Sequence, residues 1–346
     1  MTRTMTMANT KQILIDVPIE AAALARLQHQ AGLRILVADP ISDEEQTRSP
    51  EVLRDTHFLF CSVPPANLEV MGALEWVQIC SSGYEQLIPW NLPSRGVRAC
   101  NAQGVFDVPI GEWCVAMLVN LARDLRGMIR HQDAGVWDRD ARFQREIRGK
   151  TVGFWGYGGL ARETARLCKV MGLQVHVLTR HGVKPRTNVY CVPGTGDPQG
   201  TCPDKVFTEQ QREDFLRGLD FLILAMPLSP ATRGIVGEAE LRALPSHAFL
   251  LNPARGPLAQ EPALLNALNE GWIAGAALDT HFHYPMPPEH PLWRMPNVIL
   301  TPHISGSSLS PRFLTRTWDI FEQNVDRILS KEPLLNELQP QALIPS

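Results

Sequence analysis

Residues 151–180 read TVGFWGYGGLARETARLCKVMGLQVHVLTR, and this stretch decides the fold. An apolar run at residues 152–155 leads into a glycine turn, a segment of helical periodicity and a second apolar run at residues 175–178. Strand, glycine turn, helix and strand in this order form the unit that binds a dinucleotide pyrophosphate at a helix N-terminus. The alternative is a tight turn without a ligand. We predict dinucleotide contacts at Gly156, Gly158, Gly159 and Leu160.

Short β-like and helical segments alternate on both sides of this unit. We predict strands at residues 12–17, 33–38, 57–61, 76–80 and 97–100 before it, and at residues 221–225, 248–252, 275–278 and 298–301 after it. Such alternation predicts a mostly parallel sheet. Residues 111–135 have the periodicity of one long helix, and Ser310-Pro311 is a typical helix start. Residues 181–214 interrupt the alternation, and we expect them to form a surface insertion.

The composition is that of a globular protein. The chain has 346 residues, of which 44% are hydrophobic and 20% charged, and its formal net charge of −3 gives no reason to expect binding to nucleic acid or an anionic membrane. No apolar run reaches the ~18–20 residues of a membrane span. The N-terminal residues 1–11 lack the apolar core of a secretory signal, and we expect a polar tail. Seven cysteines without a CxxC pair favour a reducing, cytoplasmic location.

Four further segments follow the glycine turn in a fixed order. They are AMPLSPATRGIV (225–236), LLNPARGPLAQEPALLNAL (250–268), GAALDT (275–280) and ILTPHISG (299–306). Together they resemble the D-isomer-specific 2-hydroxyacid dehydrogenase family, from about residue 75 to residue 330. The resemblance implies an α/β fold of two doubly wound parallel-sheet domains with a cleft between them. The flavodoxin-like substrate domain would comprise residues 1–118 and 305–346, and the Rossmann cofactor domain residues 119–304.

The resemblance also implies an activity. Members transfer a hydride between NAD(P)(H) and a small 2-oxo or 2-hydroxy acid, and we expect a homodimer. Two alternatives stay open: oxidation of another small oxyanion, as in formate dehydrogenases, and sensing of NAD(P)(H) by a protein of weak catalysis. Further cofactor contacts are implied at Met226, Pro227, Thr232, Pro253, Ala254 and Asp279.

Arg255 and His303 carry the predicted chemistry. Arg255 follows an apolar strand, whose carboxyl end faces the ligand in an open α/β sheet, and its guanidinium can hold a carboxylate and polarise a carbonyl. His303 can supply the proton because imidazole titrates near neutrality. By resemblance, Asp279 lies beside the nicotinamide, although it could instead cap the following turn. By the same resemblance, the N–H groups of Ser82 and Gly83 hold the substrate carboxylate.

The turn after Asp279 departs from the family pattern. The family has a glutamate five residues on, which bonds the catalytic histidine and raises its pKa, whereas this chain has Tyr284. We therefore predict that Tyr284 contacts His303 and that the pKa of His303 is lower than in standard relatives. Formate dehydrogenases also depart at this position, with glutamine. Glu289 and His283 are alternative partners for the catalytic histidine.

The end of the second cofactor-domain strand predicts the cofactor. A site that prefers NAD(H) has Asp or Glu there, about 20 residues after the glycine turn, to bond the ribose 2′-hydroxyl. This chain has Thr179-Arg180, followed by Lys184 and Arg186. A hydroxyl beside an arginine can hold a 2′-phosphate, so we expect NADP(H) to be favoured over NAD(H). The alternative is that Arg180 stacks on adenine and both cofactors bind.

Three histidines, at positions 281, 283 and 290, lie close together in the sequence. A metal site would need further ligands beside them, and no carboxylate or thiolate stands at ligand spacing. We therefore expect no metal at these residues.

Overall fold

The structure is a computed structural model that describes residues 10–41, 46–139 and 145–345. Residues 1–9 of the expected polar tail lie outside this part. Internal contacts divide the chain into two compact units. The first comprises Met1–Val105, Asn188–Tyr190 and Ser308–Ser346, and the second comprises Phe106–Thr187 and Cys191–Ser307. Among the described helices, none is both long and apolar enough to cross a membrane.

The first unit is an α/β layer structure. Its strands are β1 (Lys11–Asp16), β2 (Leu33–Val37), β3 (Thr56–Cys61), β4 (Trp76–Ile79) and β5 (Arg98–Cys100). Its helices are α1 (Ala21–Gln28), α2 (Pro50–Arg54) and α9 (Pro311–Leu329). The strands pair in parallel in the order β2-β1-β3-β4-β5. This is the flavodoxin-like order, which confirms the prediction for this unit.

Helix α9 brings the chain's C-terminal part into the core of the first unit. It begins as predicted, with Ser310 as N-cap and Pro311 at the first helical position. Its apolar face buries Trp318 and Phe321, and the ring of Phe321 stacks on that of Phe60 at 4.1 Å between centroids. Aromatic stacking of this kind adds to the free energy gained by burying the rings.

The second unit contains the glycine turn. Its strands are β6 (Thr151–Trp155), β7 (Gln174–Leu178), β8 (Lys205–Phe207), β9 (Phe221–Leu224), β10 (Phe249–Asn252), β11 (Gly275–Leu278) and β12 (Val298–Leu300). Its helices are α3 (Asp107–Ala122), α4 (Leu125–Asp133), α5 (Gly159–Val170), α6 (Arg212–Arg217), α7 (Glu238–Ala243) and α8 (Glu261–Asn269). The parallel strands follow the order β12-β11-β10-β9-β6-β7-β8. This is the Rossmann order with one added strand, and the order reverses between β6 and β9, where ligands bind in such sheets.

The prediction of a single long helix at residues 111–135 was wrong, because two helices, α3 and α4, occupy this region. The chain turns at Asp124, whose φ of 49° ends α3, and the Asp124 side chain caps α4 by accepting a hydrogen bond from the Gly127 N–H at 3.3 Å. The unit boundary also differs from the expected 118/119, since it falls after Val105. Helix α3 lies wholly in the second unit because it buries Cys114 and Leu118 in the same core cluster as β6.

The expected surface insertion at residues 181–214 contains regular structure that periodicity did not reveal. Strand β8 pairs with β7, and a short turn capped by Thr208 leads into α6. The Tyr190 hydroxyl donates to the Asp319 carboxylate at 2.8 Å, and the Tyr190 N–H donates to the Asn336 side chain at 3.1 Å. These bonds explain why residues 188–190 belong to the first unit.

Candidate active site

The glycine turn lies at the point where the strand order of the second unit reverses. Gly156 has a φ of +93°, and a Cβ there would stand 2.7 Å from the Ala225 carbonyl oxygen at the end of β9. Only glycine permits this approach. A Cβ on Gly158 would meet nothing within 4 Å, so space is open at the N-terminus of α5. The turn therefore fits a pyrophosphate, which the free N–H groups and dipole of the helix would stabilise.

Two charged side chains, Asp107 and Arg186, stand at this helix end, and no motif in the sequence predicted them there. A Cβ on Gly159 would overlap the carboxylate of Asp107 and lie 2.9 Å from Nη1 of Arg186. Burial raises the pKa of Asp107 to about 6, against the opposing charge of Arg186 and with the added repulsion of Glu163. Arg186 was expected near Thr179-Arg180, but it stands beside the glycine turn.

Arg186 reaches this position because the insertion is fastened to α5. The Tyr157 hydroxyl donates to the Asp197 carboxylate at 2.7 Å. The buried guanidinium of Arg162 donates to the carbonyl oxygen of Lys184 at 2.7 Å and also to that of Asp197. Since Tyr157 belongs to the glycine turn itself, the insertion and the turn form one hydrogen-bonded assembly.

The predicted 2′-phosphate residues lie at the end of β7, next to β6 in the sheet. The Thr179 N–H donates to the Phe207 carbonyl at 3.1 Å, and the Thr179 residue is half-buried at the strand end. Arg180 is exposed. Neither residue is a carboxylate, so the feature that repels a 2′-phosphate is missing at this strand end.

The loop after β9 holds three predicted cofactor residues close to the glycine turn. Met226 is buried beside Gly156, since a Cβ on that glycine would stand 3.0 Å from the Met226 nitrogen. The hydroxyl of Thr232 donates to the Pro227 carbonyl at 2.7 Å and accepts from the Ser229 N–H at 2.8 Å. Thr232 thus closes the loop on itself and holds Met226 and Pro227 in place.

Arg255 stands on a loop braced by Asn252, a residue not predicted to belong to the site. The Asn252 Oδ1 atom accepts from the N–H groups of Ala254 and Arg255 at 3.1 and 3.2 Å, and Nδ2 donates to the Arg255 carbonyl at 2.8 Å. An Asn directly before Pro253 is the sequence signal that could have indicated this turn. A Cβ on Gly256 would overlap the His281 carbonyl, so this loop touches the turn that follows β11.

Asp279 holds the loop that carries His303. Its buried carboxylate accepts from the N–H groups of Ile304 and Ser305 at 2.9 and 3.0 Å, and from the hydroxyls of Thr301 and Ser305. These bonds fix His303 with a φ of 57°, in the left-handed region that few residues adopt. The Asp279 carboxylate therefore holds the neighbouring loop. This role differs from the two that the sequence suggested, which were a place beside the nicotinamide and capping of the turn after β11.

The Tyr284 ring lies beside that of His303. Their rings meet edge to face at 5.6 Å between centroids, and the Tyr284 hydroxyl accepts a hydrogen bond from the His281 N–H at 3.1 Å. Desolvation by the surrounding groups lowers the pKa of His303 below its ordinary value. The Asp279 carboxylate opposes this shift, while the cationic Arg255 and the neighbouring His281 lower the pKa further. That the pKa of His303 is lower than that of the catalytic histidine in standard relatives stays a prediction.

His281 completes the surroundings of His303. The ring is buried, and Nε2 lies 2.8 Å from the Thr301 carbonyl, to which it donates. Nδ1 then carries a lone pair, and within the described residues it has no hydrogen-bond partner. His283 and Glu289 do not take the place of the missing glutamate: Nε2 of His283 faces Glu261 at 3.6 Å, and Glu289 is exposed.

Ser82 and Gly83 lie after β4 in the first unit. The Asn101 side chain donates to the Ser82 carbonyl at 2.8 Å, and the Ser81 hydroxyl donates to the Gly83 carbonyl at 2.7 Å. The loop is therefore held by its carbonyl groups. In the part of the chain that the structure describes, the N–H groups of Ser82 and Gly83 have no acceptor.

Comparison with known proteins identifies the family. The family model described as "D-isomer specific 2-hydroxyacid dehydrogenase, NAD binding domain" matches residues 115–305. The glyoxylate reductase of Thermofilum pendens is 30% identical over 301 residues, which cover 85% of this chain and 83% of that protein.

Solved structures show the same fold. A D-isomer-specific 2-hydroxyacid dehydrogenase from Xanthobacter autotrophicus Py2, in complex with NADPH and MES, has a TM-score of 0.74 at 25% identity, covering 96% of this chain and 99% of that one. An NADPH-dependent glyoxylate/hydroxypyruvate reductase from Sinorhizobium meliloti has a TM-score of 0.72 at 23% identity, with coverage of 96% and 99%. The protein is an NAD(P)-dependent oxidoreductase, and the chain belongs to the D-isomer-specific 2-hydroxyacid dehydrogenase family.

Proposed function

We propose that the enzyme reduces glyoxylate or hydroxypyruvate, with NADPH as the preferred cofactor. The observation that carries the proposal is the position of Arg255 and His303 after β10 and β12, the strands on either side of β11, where the charge of Arg255 contributes to the lowered pKa of His303. A guanidinium and an imidazole close enough to influence one another form the pair of groups that carbonyl reduction needs. The relatives named glyoxylate reductase support the choice of a small acid.

Arg255 binds the substrate in this proposal. Its planar guanidinium donates to the carboxylate and the carbonyl oxygen of the 2-oxo acid and stabilises the negative charge that develops on that oxygen. The bracing by Asn252 keeps the loop from moving as this charge forms. NADPH, when bound, supplies the hydride that reaches the carbonyl carbon.

His303 donates the proton to the carbonyl oxygen. Only the imidazolium form can do so, and the lowered pKa makes that form scarcer at neutral pH but a stronger acid when present. Asp279 and Tyr284 are positioning residues: the first fixes the loop of His303, and the second packs against its ring. Asp279 was expected beside the nicotinamide, and that role stays a prediction.

Ser82 and Gly83 are proposed to hold the substrate carboxylate through their N–H groups. Support comes from the first unit alone, where both groups lack acceptors among the described residues. Neutral backbone donors of this kind bind carboxylates without a cationic side chain.

The preference for NADPH rests on the strand end at Thr179-Arg180. A hydroxyl and an exposed guanidinium suit a 2′-phosphate, and no carboxylate follows β7 directly. The Xanthobacter and Sinorhizobium structures are described as NADPH and NADP complexes. We also propose a cytoplasmic homodimer. All seven cysteines are free thiols, which suits a reducing compartment, and sedimentation velocity tests the dimer.

NADPH oxidation with glyoxylate, hydroxypyruvate and phenylpyruvate tests the reaction. We expect turnover of at least one of the two small acids. Arg255→Lys keeps the positive charge but loses the planar, bidentate donor geometry of the guanidinium, so kcat/KM should fall by about 100-fold. The exposed control Arg242→Lys should keep the wild-type kcat/KM. Reduction of NADP⁺ by formate without turnover of any 2-oxo acid would refute the proposal. A tenfold tighter affinity for NADH than for NADPH would refute the cofactor preference.

A further inference from the structure

Three side chains that the proposed reaction does not use meet at the start of α8. Nε2 of His290 lies 2.6 Å from one carboxylate oxygen of Glu261, and Nε2 of His283 lies 3.6 Å from the other. The two imidazole rings are 5.9 Å apart between centroids. The nearest ligand atoms of the three residues all lie within 4.8 Å of one another. Two imidazoles thus converge on one carboxylate.

The fold fixes two of these groups and leaves the third accessible. Glu261 is the first residue of α8, and Pro262 behind it restricts the backbone. The His290 side chain is 8% exposed, and its Nδ1 atom accepts a hydrogen bond from the Leu292 N–H at 3.3 Å. His283 lies in the turn after β11 with 51% of its side chain exposed, so the cluster opens to solvent on that side.

We propose that Glu261, His283 and His290 bind a divalent transition-metal ion, with zinc as the best fit. Two imidazole nitrogens and one carboxylate oxygen form a ligand set that zinc accepts, and imidazole excludes magnesium and calcium as preferred ions. The expectation of no metal rested on the lack of a carboxylate at ligand spacing. Glu261 supplies that carboxylate from 29 residues before His290, a separation that the sequence does not reveal.

The geometry requires little movement. Ligand atoms around a tetrahedral zinc ion with bonds of about 2.0–2.1 Å lie about 3.3 Å apart. The widest separation of the ligand atoms, at most 4.8 Å, exceeds this distance by up to about 1.5 Å, and the exposed side chain of His283 can close that difference by rotation. The fourth position then faces solvent and takes a water molecule.

Metal binding has one identifiable cost. In the metal-free protein the proton of His290 lies on Nε2 and is shared with Glu261, since Nδ1 is the acceptor for Leu292. Coordination through Nε2 moves this proton to Nδ1 and opens the 3.3 Å contact with the Leu292 N–H. We therefore expect weaker binding than at a closed structural zinc site, and a reversible one.

One of the three ligands, His283, lies in the turn that carries Tyr284, at residues 279–285. A metal that joins His283 to α8 would restrict this turn. The proposal does not depend on the proposed function, because binding is measured without substrate or cofactor.

The test uses full-length protein without a polyhistidine tag, freed of metal with a chelator. Zn²⁺ binding is measured by equilibrium dialysis, and Co²⁺ binding by the visible absorption that tetrahedral Co²⁺ acquires on nitrogen and oxygen ligands. We expect one equivalent of metal in the wild type. His283→Ala should bind at least ~10-fold more weakly, and because this side chain is half exposed, its removal leaves folding intact.

His247→Ala is the matched control, since His247 is similarly exposed and lies 3.2 Å from the Asp220 carboxylate. It should bind like the wild type, whereas Glu261→Gln should lose most of the affinity. Thermal unfolding of each metal-free variant verifies that it is folded. The proposal is overturned if the wild type binds less than one equivalent at micromolar metal, or if His283→Ala binds as tightly as His247→Ala.

Discussion

Tyr284→Glu tests whether the missing carboxylate sets the acidity of His303. The substitution places a negative charge where the Tyr284 ring packs on His303, about 5 Å from the imidazole by the 5.6 Å between ring centroids. Opposite charge at this distance favours the imidazolium and raises its pKa. The acid form should then persist to higher pH, and reduction of a 2-oxo acid should continue further into the neutral range.

The magnitude follows from Coulomb's law. At 5 Å the interaction is about 3.3 kcal/mol with an effective dielectric constant of 20 and about 0.8 kcal/mol in bulk water, equivalent to ~2.4 and ~0.6 pKa units. Because 59% of Tyr284 is exposed, solvent screens the new carboxylate and the shift should lie toward the lower limit, at about one unit. A rise of one unit increases the protonated fraction about tenfold wherever the pH lies well above the pKa.

The assay is the pH dependence of kcat/KM for glyoxylate reduction, from pH 5 to pH 9, with saturating NADPH. The pKa of the required acid should rise by about one unit in Tyr284→Glu. Tyr284→Gln has a similar size without a charge, so its profile should match the wild type. NMR titration of the His303 ring gives the pKa independently of turnover. If neither the pKa from the pH profile of kcat/KM nor the pKa of His303 from NMR changes in Tyr284→Glu, the reasoning about Tyr284 is refuted.

Three further predictions concern stability and cofactor binding. Asp279→Asn turns an amide donor toward the N–H groups of Ile304 and Ser305, and should cost about 3 kcal/mol in urea unfolding together with most of kcat; unchanged stability would contradict the anchoring role. The pKa of Asp107 is raised to about 6, so its ionisation destabilises the fold progressively as pH rises from about 4 through 6. The free energy of unfolding of Asp107→Asn, relative to the wild type, should therefore be up to about 3 kcal/mol higher at pH 7 than at pH 4. The variant should also bind NADPH more tightly, as measured by fluorescence titration. Gly156→Ala forces a side chain against the Ala225 carbonyl at a φ of +93°, so NADPH affinity should fall at least ~10-fold, whereas Gly182→Ala, with nothing within 4 Å and a φ of +69°, should only lose stability.

Local patterns predicted the strands and their parallel pairing, because apolar runs and glycine turns depend on neighbouring residues. The start of α9 at Ser310-Pro311 followed from capping rules for the same reason. The break at Asp124 was missed because the apolar periodicity continues across it, and only the left-handed backbone of that residue ends the helix. Strand β8 was missed because its three residues are too few to show a period.

One motif was enough to predict that Arg255 and His303 follow apolar strands, and both do so after β10 and β12; their catalytic roles stay a prediction. The candidate site was not predictable where residues from distant segments meet. Asp107 reaches the end of α5 through the packing of α3, and Glu261 meets His290 through the fold of α8 against a later turn. Asn252 is intermediate, since an Asn before Pro253 indicates a turn but not which residue the turn supports.

The anchoring of residues 301–305 by Asp279 has a consequence for engineering. A library meant to change the substrate range should keep Asp279, Thr301 and Ser305 constant, because variation at any of them releases the histidine backbone from its left-handed conformation. Position 284 can be randomised instead, since the Tyr284 ring approaches the imidazole without bonding to any of these three residues. Diversity there retunes acidity and pocket shape while the proton donor keeps its place.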